Sequence, residues 1–277
     1  METDIKTILT ECGFGFKKKF GQNFITDKNL LASIVAQSGA GEEDTVLEIG
    51  CGAGTLTAQI ASKCKCVIAY EVDTSLKPVL ERTLAGVDNA EVVFKDFLKA
   101  ELGELEREIG GYYVIANLPY YVTTPLITKL LEEGRSCKGL TVMVQEEVAD
   151  RLCARENTPE YGAITAVIAL RAKAEIIKRV PRTMFTPRPN VDSAVVRLTV
   201  EEGRLPVSDE RIYKKTVHAA FSSRRKTLEN NLVNVFKLTR AQAQEVLTAC
   251  SIDLKARGET LSPEAFARLS DELCRRI

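Results

Sequence analysis

The sequence predicts an α/β domain built on a mostly parallel sheet, followed by a smaller all-helical segment. Three observations predict it. Apolar runs at residues 45–49, 66–70, 91–94, 112–116 and 140–144 alternate with stretches of helical spacing, and strands separated by helices imply βαβ units with parallel neighbours. A glycine-rich turn, Glu48-Ile49-Gly50-Cys51-Gly52-Ala53-Gly54, joins the first run to the next helix. Gly50, Glu71, Asp96 and Asn117 then fall, in order, just past four strand ends. Ligands of such sheets bind beyond the carboxyl ends of the strands, so these four positions should converge on one crevice.

Each element follows from its residues. Lys17, Lys18 and Lys19 open a basic segment that passes into Phe20-Gly21-Gln22-Asn23-Phe24. Asp27 has the character of an N-cap, and Leu30, Leu31, Ile34 and Val35 repeat at helical spacing behind it. Residues 75–84 read as a helix with Pro78 near its first turn. Two β-like runs, 174–180 and 191–200, have no helix between them and predict an antiparallel, hairpin-like end to the sheet. Phe185-Thr186-Pro187-Arg188-Pro189 is expected to be a loop, because proline continues neither a helix nor a ladder. Gly203 and Pro206 mark a linker, which divides the chain into 1–202 and 203–277. Beyond it, residues 209–221, 225–236, 240–249 and 263–275 read as helices.

Composition narrows the classes. The chain has 277 residues, 45% of them hydrophobic, enough for a sizeable core. Lys+Arg and Asp+Glu both number 38, so only local clusters can signal a polyanionic partner. The predicted helical segment is mildly basic. There is no apolar run of membrane-spanning length and no signal-type N-terminus, so a cytoplasmic protein is expected. The eight cysteines lack paired spacing and read as free thiols, with no metal site. His218 is the only histidine, and its helical setting favours a structural or surface role.

The glycine turn lets backbone approach a ligand closely. Its Gly-x-Gly-x-Gly form differs from the dinucleotide pattern, whose third glycine comes one residue later. Glu48 would place negative charge near a pyrophosphate and better suits a cationic ligand such as S-adenosylmethionine. Glu71 can accept from both ribose hydroxyls, and Asp96 from an adenine amino group, a role compatible with capping the next turn. Asn117-Leu118-Pro119-Tyr120 carries the chemistry. The N6 amine of adenine is a poor nucleophile because its lone pair is delocalised into the ring. Acceptors from the Asn117 side chain and the Leu118 carbonyl would hold its hydrogens and favour a pyramidal nitrogen. Pro119 fixes the backbone, and Tyr120 offers a face for the base. Direct in-line methyl transfer then needs positioning and electrostatics rather than a strong base. Phe185 is a candidate for the opposite face of a flipped-out base. Lys17, Lys18, Lys19, Arg179, Arg182, Arg188, Arg224, Arg225 and Lys226 are candidate phosphate contacts.

With these residues in place, the chain resembles the ribosomal RNA adenine dimethyltransferase family of the KsgA type. The resemblance covers nearly the whole length: Phe20–Phe24, the glycine turn, Glu71-x-Asp73, Asp96-Phe97, Asn117–Tyr120, residues 185–196, Phe221-Ser222-Ser223-Arg224-Arg225-Lys226-Thr227-Leu228-x-Asn230-Asn231-Leu232 and Arg257-Gly258-Glu259-x-Leu261-Ser262. It implies a Rossmann-like class I methyltransferase with a seven-stranded mixed sheet and a small helical C-terminal domain. It implies S-adenosylmethionine held by Gln22, Asn23, Ile25, Gly50, Gly52, Glu71, Asp96 and Asn117. It further implies a monomer that dimethylates two neighbouring adenosines in a hairpin loop near the 3′ end of 16S rRNA in the small ribosomal subunit. Cys51 stands where the family usually has proline, close to where an alkylating sulfonium would lie.

Other readings remain open at this point. A large-subunit methyltransferase of the macrolide-resistance type shares the methyltransferase motifs, although the Phe20–Phe24 and Phe221–Leu232 segments favour the small-subunit type. An assembly factor with secondary catalysis is a second alternative, against which intact Glu71, Asp96 and Asn117–Tyr120 argue. A nicotinamide oxidoreductase is disfavoured by the turn spacing.

Overall fold

The structure is a computed structural model that describes residues 5–17 and 21–276. Lys18, Lys19 and Phe20 therefore lie outside the described residues. The strands are β1 (Phe24–Ile25), β2 (Thr45–Ile49), β3 (Cys66–Tyr70), β4 (Ala90–Val93), β5 (Tyr112–Asn117), β6 (Cys137–Gln145), β7 (Ala172–Val180), β8 (Phe185–Thr186) and β9 (Ser193–Val200). The helices are α1 (Ile5–Glu11), α2 (Lys28–Ala36), α3 (Thr55–Ala61), α4 (Lys77–Thr83), α5 (Leu102–Ile109), α6 (Thr123–Glu133), α7 (Glu146–Leu152), α8 (Ala163–Ile168), α9 (Glu210–Phe221), α10 (Leu228–Phe236), α11 (Arg240–Ala249) and α12 (Pro263–Arg276).

Seven strands form one sheet in the order β4-β3-β2-β5-β6-β9-β7. β2 is parallel to β3 and β5, β3 to β4, and β5 to β6, while β9 runs antiparallel to β6. The mixed α/β sheet and its antiparallel end are those the sequence predicts. From β2 the chain builds outward through β3 and β4, then crosses back to β5. The carboxyl ends of β2 and β5 thus flank the point where strand order reverses, the place where open α/β sheets bind ligands.

Local chemistry explains the elements that matter for the site. All five residues of β2 are buried, as a central strand covered on both faces requires. Val46 and Leu47 are fully buried, and each such side chain contributes about 1.5–3 kcal/mol relative to exposure. Asp27 caps α2 by accepting from the Leu30 N–H at 2.9 Å. Residues 75–84 begin as a 3₁₀ turn over Thr74–Leu76, capped by Asp73, and become α-helical only at Lys77.

One expectation needs correction. Residues 185–189 are not all loop: Phe185 and Thr186 pair antiparallel with Ile25 and Phe24. Both precede the first proline and keep their backbone N–H groups, so the ladder ends where Pro187 begins.

The chain divides into two compact units. The first comprises 1–149 and 175–200, and the second 150–174 and 201–277. The single cut expected at 202/203 thus meets a second boundary, because residues 150–174 group with the C-terminal helices. Within the second unit the Tyr213 hydroxyl donates to the Ala166 carbonyl at 2.8 Å and the Tyr161 hydroxyl to the Leu261 carbonyl at 2.9 Å. Tyr161, Tyr213 and Phe266 are among its fully buried side chains. No helix among the described residues is long and apolar enough to cross a membrane.

Candidate active site and basic cavity

A crevice of about 320 Å³ opens at the carboxyl edge of the sheet in the first unit. Gly50, Glu71, Asp96 and Asn117 all line it, joined by Gln22, Asn23, Gly52, Leu118, Pro119 and Tyr120. The convergence expected from four strand ends is therefore present, because parallel strands deliver their C-terminal residues to one edge.

The glycine turn has the backbone geometry its residues permit. Gly50, Gly52 and Gly54 have φ of 76°, 55° and 80°, left-handed values that cost β-carbon-bearing residues free energy. Space demands glycine as well. A Cβ on Gly52 would lie 2.7 Å from Phe24 Cε1, and one on Gly54 2.9 Å from Leu80 Cδ2.

Glu71 holds two parts of the site together. Its Oε2 accepts from the Gly52 N–H at 2.9 Å, and its Oε1 accepts from the N–H groups of Val72 and Asp73, both at 2.8 Å. Burial pushes its carboxyl above the usual range despite those three bonds. Glu48 is 1% exposed, and its Oε2 has no hydrogen-bond partner among the described residues. Burial pushes it up to about 8; the neighbouring Thr57 hydroxyl opposes the rise and the charge of Glu71 adds to it. Cys51 is buried too, and burial, followed by the charges of Glu48 and Glu71, pushes its thiol well up. It is the thiolate that reacts with electrophiles, and these surroundings keep Cys51 in the thiol form.

Asn117 is held in a specific sense. Its Nδ2 donates to the Asn23 carbonyl at 3.0 Å, and its Oδ1 accepts no hydrogen bond from the described residues. The Leu118 N–H donates to the Met143 carbonyl at 3.1 Å, while the Pro119 carbonyl accepts from Val122 N–H and Thr123 Oγ1. Tyr120 is fixed by a 2.9 Å hydrogen bond between its hydroxyl and Ser193 Oγ. Asp96 accepts from the Leu98 N–H at 3.0 Å, which is the cap expected of it.

Two sequence candidates are placed elsewhere. Ile25 is 3% exposed, its carbonyl accepts from Thr55 Oγ1 at 2.9 Å, and it lines a small cavity beside the glycine turn. Phe185 is 4% exposed and belongs to the hydrophobic core rather than to the crevice lining. Conversely, Val72, Phe97, Leu98 and Tyr121 line the crevice without having been anticipated. The signal was available, since each lies within two residues of an anticipated one. Strand ends bring their apolar neighbours with them.

The basic candidates sort by partner. Lys17 is ion-paired with Asp73 at 2.6 Å. Arg179 pairs with Glu146. Arg182 braces the proline loop: its backbone N–H donates to Asp192 at 2.8 Å and its guanidinium to the Asn190 carbonyl at 2.9 Å. Arg188 lines a separate cavity of about 270 Å³ with Gln22 and Asn23. In the second unit, Arg224 and Arg225 share a cavity of about 460 Å³ with Arg257. Arg224 is steadied there by a 3.1 Å bond to the Tyr161 carbonyl. The turn that carries Arg224, Arg225 and Lys226 is built from the inside. Buried Asn231 donates from Nδ2 to the carbonyls of Ala220 and Ser223, at 3.0 and 3.2 Å. Thr227 caps α10, so the helix begins at Leu228 rather than at residue 225 as the sequence suggested. A Cβ on Gly258 would sit 2.6 Å from the Ala220 carbonyl oxygen. His218 is exposed on α9.

Comparison with known proteins decides the family. The family model described as ribosomal RNA adenine dimethylase matches residues 13–274. The chain belongs to this family. It is 46% identical over 276 residues to the ribosomal RNA small subunit methyltransferase A of Bacillus licheniformis, with 97% of this chain and 94% of that one covered. The protein of the same name from Shouchella clausii is 47% identical over 273 residues, covering 96% and 92%. Among solved structures, a dimethyladenosine transferase from Plasmodium falciparum matches with a TM-score of 0.76 at 25% identity, covering 89% of this chain and 95% of that chain. The 23S rRNA methyltransferase ErmE matches with a TM-score of 0.71 at 27% identity, covering 91% and 100%. The fold of this ribosomal RNA adenine dimethylase is thus the Rossmann-like methyltransferase fold that the resemblance implied.

Proposed function

We propose that this protein transfers methyl groups from S-adenosylmethionine to the N6 amines of two adjacent adenosines in the 3′-terminal hairpin loop of small-subunit rRNA. The observation that carries the reading is the state of Asn117. Its amide nitrogen is committed to the Asn23 carbonyl, so its oxygen is the atom offered to a ligand, beside the carbonyl of Leu118. Two acceptors at one amine hold both hydrogens and leave the lone pair free, which is what methylation of adenine requires.

The residues present fit S-adenosylmethionine. The crevice wall carries the acids Glu71 and Asp96, a setting that suits a cation; Glu48, which the sequence offered as a negative charge, lies behind the glycine turn and holds its proton up to about pH 8. The glycine turn closes against Phe24 with no room for a side chain. Gln22, Asn23, Gly50, Gly52, Glu71 and Asp96 would hold the ligand. Glu71 and Asp96 each keep acceptor capacity beyond their backbone bonds, for hydroxyl and amino hydrogens. The bound sulfonium supplies the electrophilic methyl group. The protein's part is to orient the amine through Asn117 and Leu118, to present the Tyr120 ring locked by Ser193, and to exclude water. No side chain need take a proton before transfer. The small-subunit assignment rests on relatives 46–47% identical along nearly the whole chain. Arg224, Arg225, Lys226 and Arg188 are the basic side chains we assign to the RNA backbone. The assigned cellular site is the cytoplasm, and the assigned partner is the small ribosomal subunit.

The test is methyl transfer from labelled S-adenosylmethionine to small subunits lacking adenine dimethylation, with nucleoside mapping and large subunits in parallel. Label confined to N6,N6-dimethyladenosine near the 3′ end supports the proposal, and label on the large subunit overturns it. Asn117→Ala should lower transfer by orders of magnitude with RNA affinity nearly unchanged; equal loss of both removes Asn117 from the chemistry.

A further inference from the structure

The motif Glu71-x-Asp73 contains a second acid that the proposed reaction leaves without a task. Asp73 is 3% exposed, yet it collects donors from a distant part of the chain. Lys17 Nζ donates to Oδ1 at 2.6 Å and Gln22 Nε2 donates to Oδ2 at 2.8 Å. The two donors are tied to each other, since the Lys17 backbone N–H donates to Gln22 Oε1 at 2.7 Å. Lys17 Nζ also donates to Ser75 Oγ at 2.7 Å, and Ser75 donates to Asp73 from its hydroxyl at 2.7 Å and its N–H at 3.1 Å. Burial alone would raise the Asp73 carboxyl, but hydrogen bonds from Lys17, Ser75 and Gln22 outweigh it and hold the group at about 2. Asp73 is therefore an anion at any working pH, and charge-assisted bonds to a buried anion are the strong ones.

What this network holds is one wall of the crevice. Gly21, Gln22, Asn23 and Phe24 all line it. The same wall supplies the Asn23 carbonyl that orients the Asn117 amide. A continuous chain of contacts thus runs from Asp73 through Gln22 and Asn23 to Asn117. Other contacts on this wall, among them the two-residue pairing with β8, the Thr55 bond to the Ile25 carbonyl and the packing of Phe14 and Phe16 on Phe24, lie C-terminal to Gln22 or on Phe24 itself, so the Asp73 network is what ties the Gln22 side chain down.

We infer that Asp73 is a positioning residue for methyl transfer: through Lys17 and Gln22 it clamps the Gln22–Asn23 wall onto the cofactor site and against Asn117. The inference rests on reading the crevice as the S-adenosylmethionine site. It also assigns Lys17 to this clamp instead of to an RNA phosphate.

Calorimetric titration with S-adenosylhomocysteine tests it, using the full chain, thermal melts to confirm folding, and steady-state kinetics with RNA. Asp73→Asn and Lys17→Met should each weaken binding roughly tenfold, as loss of a charge-assisted bond does. The double variant should be scarcely weaker than either, because the pair acts as one clamp. Lys17→Arg should restore most of the affinity, and KM for RNA should stay unchanged throughout. Lowered melting temperature with wild-type affinity would make Asp73 only a cap for the Thr74–Leu76 turn and overturn the inference. So would unchanged affinity in Lys17→Met with a shallower salt dependence of RNA binding. If Asp73→Asn does not fold, Lys17→Met decides alone. Failure of the wild-type protein to bind S-adenosylhomocysteine overturns the cofactor reading as well; normal wild-type binding with unmoved variants overturns the clamp alone.

Discussion

Replacing Glu48 by Gln should flatten the pH dependence of stability. Glu48 is 1% exposed, and one of its oxygens lacks a partner among the described residues. Its carboxyl is raised from 4.5 to about 8, by burial first. The folded state therefore binds a proton that the unfolded chain releases, and stability falls as pH rises between these two values. The full effect is present below about 4.5 and is lost progressively up to about 8. At roughly 1.4 kcal/mol per pH unit, this reaches about 4 kcal/mol by pH 8 as an upper bound. Unfolding followed by calorimetry from pH 5 to 8 should show wild-type stability falling relative to Glu48→Gln across the whole window. At about 2–4 °C per kcal/mol, the difference in Tm between the two proteins should change by roughly 10 °C. The buried amide brings its own constant cost, so the slope with pH is the quantity to compare, not the level. Parallel curves would refute the reasoning, because they would mean that Glu48 ionises in the fold as easily as in the unfolded chain.

Three further outcomes are expected. Gly52→Ala should cost about 1–3 kcal/mol in urea denaturation and weaken S-adenosylhomocysteine binding, because its Cβ would meet Phe24 at 2.7 Å where φ is 55°. Phe185→Ala should destabilise by about 3–5 kcal/mol, since the ring is in the core; wild-type stability with lost transfer would instead put the ring at the substrate. Replacing Arg224, Arg225 and Lys226 by Gln should reduce the salt slope of RNA binding by about 2–3, and an unchanged slope, read from titrations at several salt concentrations, would remove this turn from the interface.

The convergence of four strand ends on one crevice was legible in the sequence for a simple reason. In a parallel sheet, position along a strand decides position in space, so Gly50, Glu71, Asp96 and Asn117 had to arrive at one edge together. Residues whose place depends on long-range pairing were not legible in this way. Phe185 looked free on a proline-rich loop, yet pairing with Ile25 draws it into the core. Lys17 looked like one of a run of surface charges, yet Asp73, fifty-six residues away, captures it. Residues 150–174 looked like part of the sheet domain and group with the C-terminal helices.

By itself the sequence determined the sheet, the glycine turn, the place of Asn117-Leu118-Pro119-Tyr120 at a strand end and the family, because these reside in local patterns of residues and short spacings. Only the tertiary structure decided which nitrogen and oxygen of Asn117 face where, which basic residues are already engaged, and how Asn231 and Gly258 shape the arginine-bearing turn. Those outcomes depend on hydrogen-bond partners that are near in space and remote in sequence. A side chain's available atoms are settled only when every competing donor and acceptor around it has been placed.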